Sequence, residues 1–150
     1  IPLARRIEQA DLQLGFLTFF RKAIQARRFR KGKMFAHLGT VPNPDVCVLV
    51  ADFFMRVETV TWSIVSGICD EQLVVILRND GIRKNAGSLA RSSFGEFGSA
   101  GGHKTMARAE LALGVVGKAV DCSSGKRLTE WLVNRIEQRT WTSRGTAQRK

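Results

Sequence analysis

The hydrophobic positions along this 150-residue chain change their period several times, and each change predicts an element. Leu3, Ile7, Ala10, Leu14 and Leu17 recur at helical spacing, with Leu12, Phe16, Phe19, Phe20 and Ile24 broadening the stripe. That predicts one helix, or two broken near Asp11. The apolar side is too broad for a free surface helix, so it leans either on its own domain or on a part beyond Ile1. Val46, Val50, Phe53 and Val57 share a second helical face with Leu49 beside it. Val60 to Ile68 then alternates with Trp62 and Ile64 on one side, and Leu73 to Leu77 is continuous, as in a strand buried on both faces. Ala107, Ala109, Leu111 and Leu113 alternate again, and Leu128, Trp131, Leu132 and Ile136 form a final helical stripe.

The residues between these runs punctuate them. Met34 to Leu38 reads as a short strand. Asn43-Pro44-Asp45 is a helix start: Asn can cap free amides, Pro suits the first helical position, and Asp favours the positive end of the dipole. That helix is expected to run to about Arg56, which removes Val48 to Asp52 from consideration as a strand ending in a magnesium-binding aspartate. Asp70-Glu71-Gln72 predicts an antiparallel hairpin. Asn79-Asp80-Gly81 predicts a turn, and Ala86, Leu89 and Ala90 a short helix, with Asn85 placed to cap it or to hydrogen-bond a ligand. Asp121, Ser123 or Ser124 can cap the last helix. The result is an α/β fold, a mixed β-sheet of about four to five strands with flanking helices behind an N-terminal linker helix. Residues 1–31 are read as the linker, 32–141 as the domain, and 142–150 as a basic, apolar-poor tail expected to be disordered.

Composition narrows the function. With 44% hydrophobic and 25% charged residues the chain can bury one core, and a formal net charge of +11 favours an anionic partner. No apolar run approaches spanning length, so nucleic acid is favoured over a membrane. Arg27-Arg28-Phe29-Arg30-Lys31-Gly32-Lys33 reads as a basic connector with an aromatic inside it, as on nucleic-acid surfaces or in a solvated linker. Cys47, Cys69 and Cys122 have no Cys-x-x-Cys spacing, which argues against a disulfide framework or zinc site and for a cytoplasmic protein. His37 and His103 are far apart and the carboxylates scattered, so no metal ligands are expected here. The start at Ile1, without an apolar signal core, reads as a chain cut from something longer.

Candidate chemistry concentrates in Gly98-Ser99-Ala100-Gly101-Gly102-His103-Lys104-Thr105. Read as a loop, its small residues would let consecutive amides form an anion nest, with His103 and Lys104 at the rim. The stretch nearly fits a phosphate-loop pattern, but His103 stands where glycine is required and a strand follows where a helix is required. A hydrolase using His103 as general base lacks a nucleophile or metal at any recognisable spacing. A substrate-holding domain is the remaining reading. Arg78, at the end of a buried strand, would then grip phosphate together with Gly101, Gly102 and His103.

The ordered set Leu77-Arg78-Asn79-Asp80, Asn85-Ala86-Gly87, Gly98 to His103 and Met106-Ala107 resembles the C-terminal DHH-associated domain of DHH-family phosphoesterases, including nanoRNase-type oligoribonucleases. In that family a strand ending in Leu-Arg-Ser or similar precedes a helix and a Gly-Gly-Gly-His loop. The resemblance covers roughly Leu3 to Leu113. It implies a substrate-binding role for Arg78, Asn79, Gly101, Gly102, His103 and Lys104, with no catalytic residue and no metal ligand in this chain. Two manganese ions would belong to a catalytic DHH domain outside it, and the partner would be a short oligonucleotide or nucleotide phosphate. Asn79 stands where many relatives carry serine or threonine, and Ala100 where many carry glycine. A non-catalytic basic nucleic-acid-binding module is the alternative.

Overall fold

The computed structural model describes residues 14–82 and 84–149, with side chains to residue 138. Most of the first predicted helix, Leu3 to Gln13, lies outside the described residues. Helix α1 (Phe16–Ala26) leads into strands β1 (Arg28–Arg30) and β2 (Lys33–Thr40), helix α2 (Asp45–Phe54), strands β3 (Trp62–Cys69) and β4 (Gln72–Asn79), helix α3 (Ala86–Phe94), strands β5 (Gly98–Gly102) and β6 (Met106–Ala112), a short α4 (Leu113–Val116) and α5 (Gly125–Arg149). The strands form one six-stranded sheet in the order β1-β2-β3-β4-β6-β5. Only β2 and β3 run parallel; every other pair is antiparallel. The sheet is thus the expected mixed one, two strands wider than the lower expectation.

Both additional strands come from segments that resist reading as strands. Arg28–Arg30 belongs to the supposed connector, but Lys31 and Gly32 both take positive φ, 50° and 85°, and close a two-residue hairpin between Arg30 and Lys33. The supposed loop Gly98–Gly102 is an edge strand paired with β6, so its amides do not form a nest. The β3–β4 hairpin is equally tight, with Asp70 and Glu71 at φ 51° and 60° between Cys69 and Gln72.

Alternation along β4 explains its uninterrupted apolar run. Leu73, Val75 and Leu77 face one cluster with Phe35, Trp62, Ile64, Phe94, Leu128 and Ile136, beneath α3 and α5. Val74 and Ile76 face the other, with Val46, Val50, Phe54 and Val65, beneath α1 and α2. Two layers of helix therefore sandwich the sheet, and each core forms where the apolar side of a helix meets one side of the pleat. The α1 stripe divides between packing and exposure: Phe16, Phe19, Phe20 and Ala23 pack on this domain, Phe20 edge-on to Phe53 at 5.4 Å, while Leu14, Leu17 and Ile24 are exposed.

Local signals mark three of the helix starts. Asn43 Oδ1 accepts from the Asp45 amide at 2.8 Å, and α2 ends at Phe54, slightly before Arg56. Asn85 Oδ1 accepts from Ser88 N at 2.9 Å, and Ser124 Oγ from Arg127 N at 3.2 Å. The α5 backbone is helical through Arg149, past the Trp141 boundary set by the hydrophobic stripe; residues 142–149 contain no proline to stop it. Arg135 fastens α5 to α3: its Nε donates to Ser93 O at 3.0 Å, its Nη2 sits 2.5 Å from Glu96 Oε1, and its guanidinium lies over Phe97. Among the described residues no helix is long and apolar enough to cross a membrane.

Candidate anion-binding site

Arg78 is the next-to-last residue of β4. The parity that sends Val74 and Ile76 beneath α2 sends Arg78 the same way, and there Nη1 meets Asp52 Oδ1 of α2 at 2.5 Å and Met106 Sδ at 3.8 Å. Its Nε is buried and has no hydrogen-bond partner, while 30% of the side chain remains exposed. A guanidinium with one edge anchored and another N–H unsatisfied is incomplete as an internal structure, since an unmet buried donor carries a desolvation cost.

The glycine-rich strand lies beside it. Arg78 is opposite Met106 in the β4–β6 pairing, and Met106 O accepts the His103 amide at 2.8 Å, so Arg78, Met106 and His103 lie in one row across the sheet. Two strand spacings separate the outer pair, roughly 10 Å of backbone. On the α2 side of β6, Arg108 follows Met106 and pairs with Glu110 at 2.6 Å. Arg108 stands opposite Gly101 in the β5–β6 pairing. Helix α2 packs on β3 and β4, and Arg108 is exposed to solvent.

Asn79 joins the two halves. Its side-chain amide donates to Lys84 O at 3.0 Å and Lys104 O at 3.1 Å, its Oδ1 accepts from Gly81 N at 2.8 Å, and its own amide donates to Thr105 O. The side chain that ends the Arg78 strand therefore holds the 103–105 turn. That turn also occupies the first amides of α3: Ala86 N donates to Lys104 O and Gly87 N to His103 O, at 2.7 and 2.8 Å. The α3 terminus is closed by the protein itself. His103 and Lys104 are exposed at the tip.

The glycines divide by what surrounds them. A Cβ on Gly102, at φ +153°, would come within 2.5 Å of Ala107 Cα and Met106 O, and one on Gly87 within 2.5 Å of Gly102 O. Close packing of α3 on β5 requires Gly87, and the close approach of β5 to β6 requires Gly102. Gly101 is different, since a Cβ there meets only the flexible end of Arg91, at 3.4 Å, so internal packing does not account for its missing side chain.

The structure therefore brings Arg78, Asn79, Gly101, Gly102, His103 and Lys104 to one end of three neighbouring strands. Sequence reading missed Asp52, Arg108 and Arg91. For Arg108 a signal existed, since it alternates with core-facing Ala107 and Ala109; Asp52 and Arg91 join through packing that no spacing reveals.

With this geometry in view, the chain has the α/β fold found within DHH-family and exopolyphosphatase-related proteins. It is similar to an exopolyphosphatase-related protein from Bacteroides fragilis, with TM-score 0.56, 16% identity, and coverage of 76% of this chain and 36% of that one. RecJ from Thermus thermophilus, solved in complex with Mg2+, gives TM-score 0.53 and 17% identity over 86% of this chain and 17% of its own. The DHH domain of a member of the s1p family of ribosomal proteins gives 0.51 and 10%, over 84% and 30%. In sequence, the uncharacterized protein MJ1633 of Methanocaldococcus jannaschii is 29% identical over 125 residues, 83% of this chain. The chain spans 25% of that relative's length. No protein-family profile matches the chain.

Proposed function

We propose that this chain is the substrate-binding domain of a DHH-type phosphoesterase that hydrolyses short oligonucleotides or phosphorylated nucleotides. The observation that carries the reading is Arg78, whose guanidinium is anchored by Asp52, keeps an unpartnered Nε, and stands in one row with Met106 and His103. Arginine suits a phosphate clamp because its planar fork meets two oxygens at once. Gly101 lets the backbone approach the ligand, while His103 and Lys104 supply hydrogen-bond donors from the tip. Held in this way, the phosphoester is oriented for attack by groups outside the chain.

Manganese, which the family resemblance implies, does not fit here. Among the described residues no three His, Cys, Asp or Glu side chains cluster to hold a metal ion. In the proposed enzyme two such ions sit in a DHH domain outside this chain, and the residues described here bind and orient.

The test is a titration of the chain with a 5′-phosphorylated diribonucleotide, followed by calorimetry and by amide NMR. Shifts at Gly101, Gly102 and His103, with binding weakened about tenfold by Arg78→Lys, are expected. Shifts confined to Arg27–Lys33, with no effect of Arg78→Lys, would replace this reading with that of a basic module binding nucleic acid nonspecifically.

A further inference from the structure

On the opposite face of the sheet from Arg78, a cavity of about 400 Å³ opens between β1, β2 and the first turn of α5. Its floor is His37, only 8% exposed despite being one of two histidines in the chain. The ring's Nδ1 lies 2.8 Å from Ser66 Oγ, and Nε2 has no partner among the described residues. The ring edge carrying Nε2 turns toward α5, since a Cβ on Gly125 would lie 3.5 Å from His37 Cδ2. Burial pushes the imidazole pKa down to about 4, so the ring is neutral at pH 7. A Ser66 hydroxyl donating to Nδ1 leaves Nε2–H as a donor facing the cavity.

The walls add charge. Ser124 meets the amides of Arg127 and Leu128, through Oγ and backbone O, while the amides of Gly125 and Lys126 have no acceptor among the described residues. Arg28, opposite Phe35 in the β1–β2 pairing, shares the His37 side of the pleat, and with Lys126 lines the cavity. No carboxylate lines it. Among the described residues Arg28 and Lys126 have no ion-pair partner, and both line the same space as His37 and Gly125, at the start of a 25-residue helix.

We propose that this cavity is a second ligand site, taking a phosphate monoester of nucleoside-monophosphate size, with the phosphate on the Gly125 and Lys126 amides, flanked by Arg28 and Lys126 and contacted by His37. Its size exceeds that of a bare phosphate and falls in the range of small-molecule pockets. It is independent of the Arg78 site, which faces the other helical layer.

The chain is titrated with AMP, inorganic phosphate and adenosine, and the Gly125 and Lys126 amides are followed by NMR. AMP is expected to shift both amides, and phosphate to shift them less. Adenosine should leave them unmoved. Arg28→Ala should weaken the AMP titration read at these two amides at least about fivefold, and Arg78→Lys should leave that local titration unchanged. Lys126→Glu, on an exposed helical position, gives the same loss without touching the sheet. No shift at these amides at about 10 mM AMP, weaker than any useful affinity, would overturn the proposal. So would an equal response to adenosine, which would remove the phosphate, or a loss on Arg78→Lys, which would merge the two sites.

Discussion

Arg78 Nη1 and Asp52 Oδ1 lie 2.5 Å apart, joining the end of β4 to α2 at the rim of the proposed binding face. The carboxylate is 47% exposed, so the pair contributes at most about 1 kcal/mol to the fold. It also competes with any phosphate for the guanidinium. Asp52→Asn is therefore expected to change thermal stability little and to tighten binding of a 5′-phosphorylated diribonucleotide severalfold at low salt. Calorimetry beside a melting curve checks both, and weaker binding would identify Asp52 as the group that orients Arg78.

Gly101 and Gly102 are neighbours in sequence with opposite expectations. Gly102→Ala places a Cβ 2.5 Å from Ala107 Cα at φ +153°, and is expected to cost on the order of 2 kcal/mol or more in unfolding experiments. Gly101→Ala meets only Arg91, so its melting temperature should match the parent while its nucleotide affinity falls. Unchanged affinity in Gly101→Ala would remove that glycine from the binding face.

Legibility in the sequence followed the periodicity. β3, β4, β6 and α5 announce themselves because burial on one or both faces imposes a period on apolar residues, and the Asn85 cap is readable because its side chain acts within three residues. β1 and β5 are edge strands of three and five residues, rich in arginine or glycine, with no buried face of their own to set a pattern. For the candidate site, Arg78 and the 101–104 stretch were visible through residue type and family resemblance. Asp52, Arg91 and the His37 cavity are products of how helices settle on the sheet.

Cys47 is fully buried against Gly67 and Val41, and desolvation pushes its thiol pKa up to about 12. Little thiolate exists there near neutral pH, and no reagent reaches it without opening of the α2 layer. Alkylation at pH 8 is expected to modify half-buried Cys69 and Cys122 first, and Cys47 at the rate of unfolding. Mass spectrometry of peptides over a denaturant series checks this, and early modification of Cys47 would show that α2 opens separately from the rest.

His37 makes stability depend on pH in a window of its own. Burial lowers its folded pKa to about 4 from an ordinary 6.5, so the unfolded chain binds the proton more readily. The folded state therefore keeps the full contribution above about pH 6.5 and loses it as pH falls toward 4, by on the order of 3 kcal/mol. Asp121 shifts downward through its hydrogen bonds from Ser123, and its contribution is lost only below its ordinary value of 3.8, outside this window. Urea midpoints between pH 4 and 7 should therefore fall with pH for the parent and level out in His37→Gln. A parental slope that survives the substitution would assign the loss to other groups, and would mean that the imidazole titrates in contact with water.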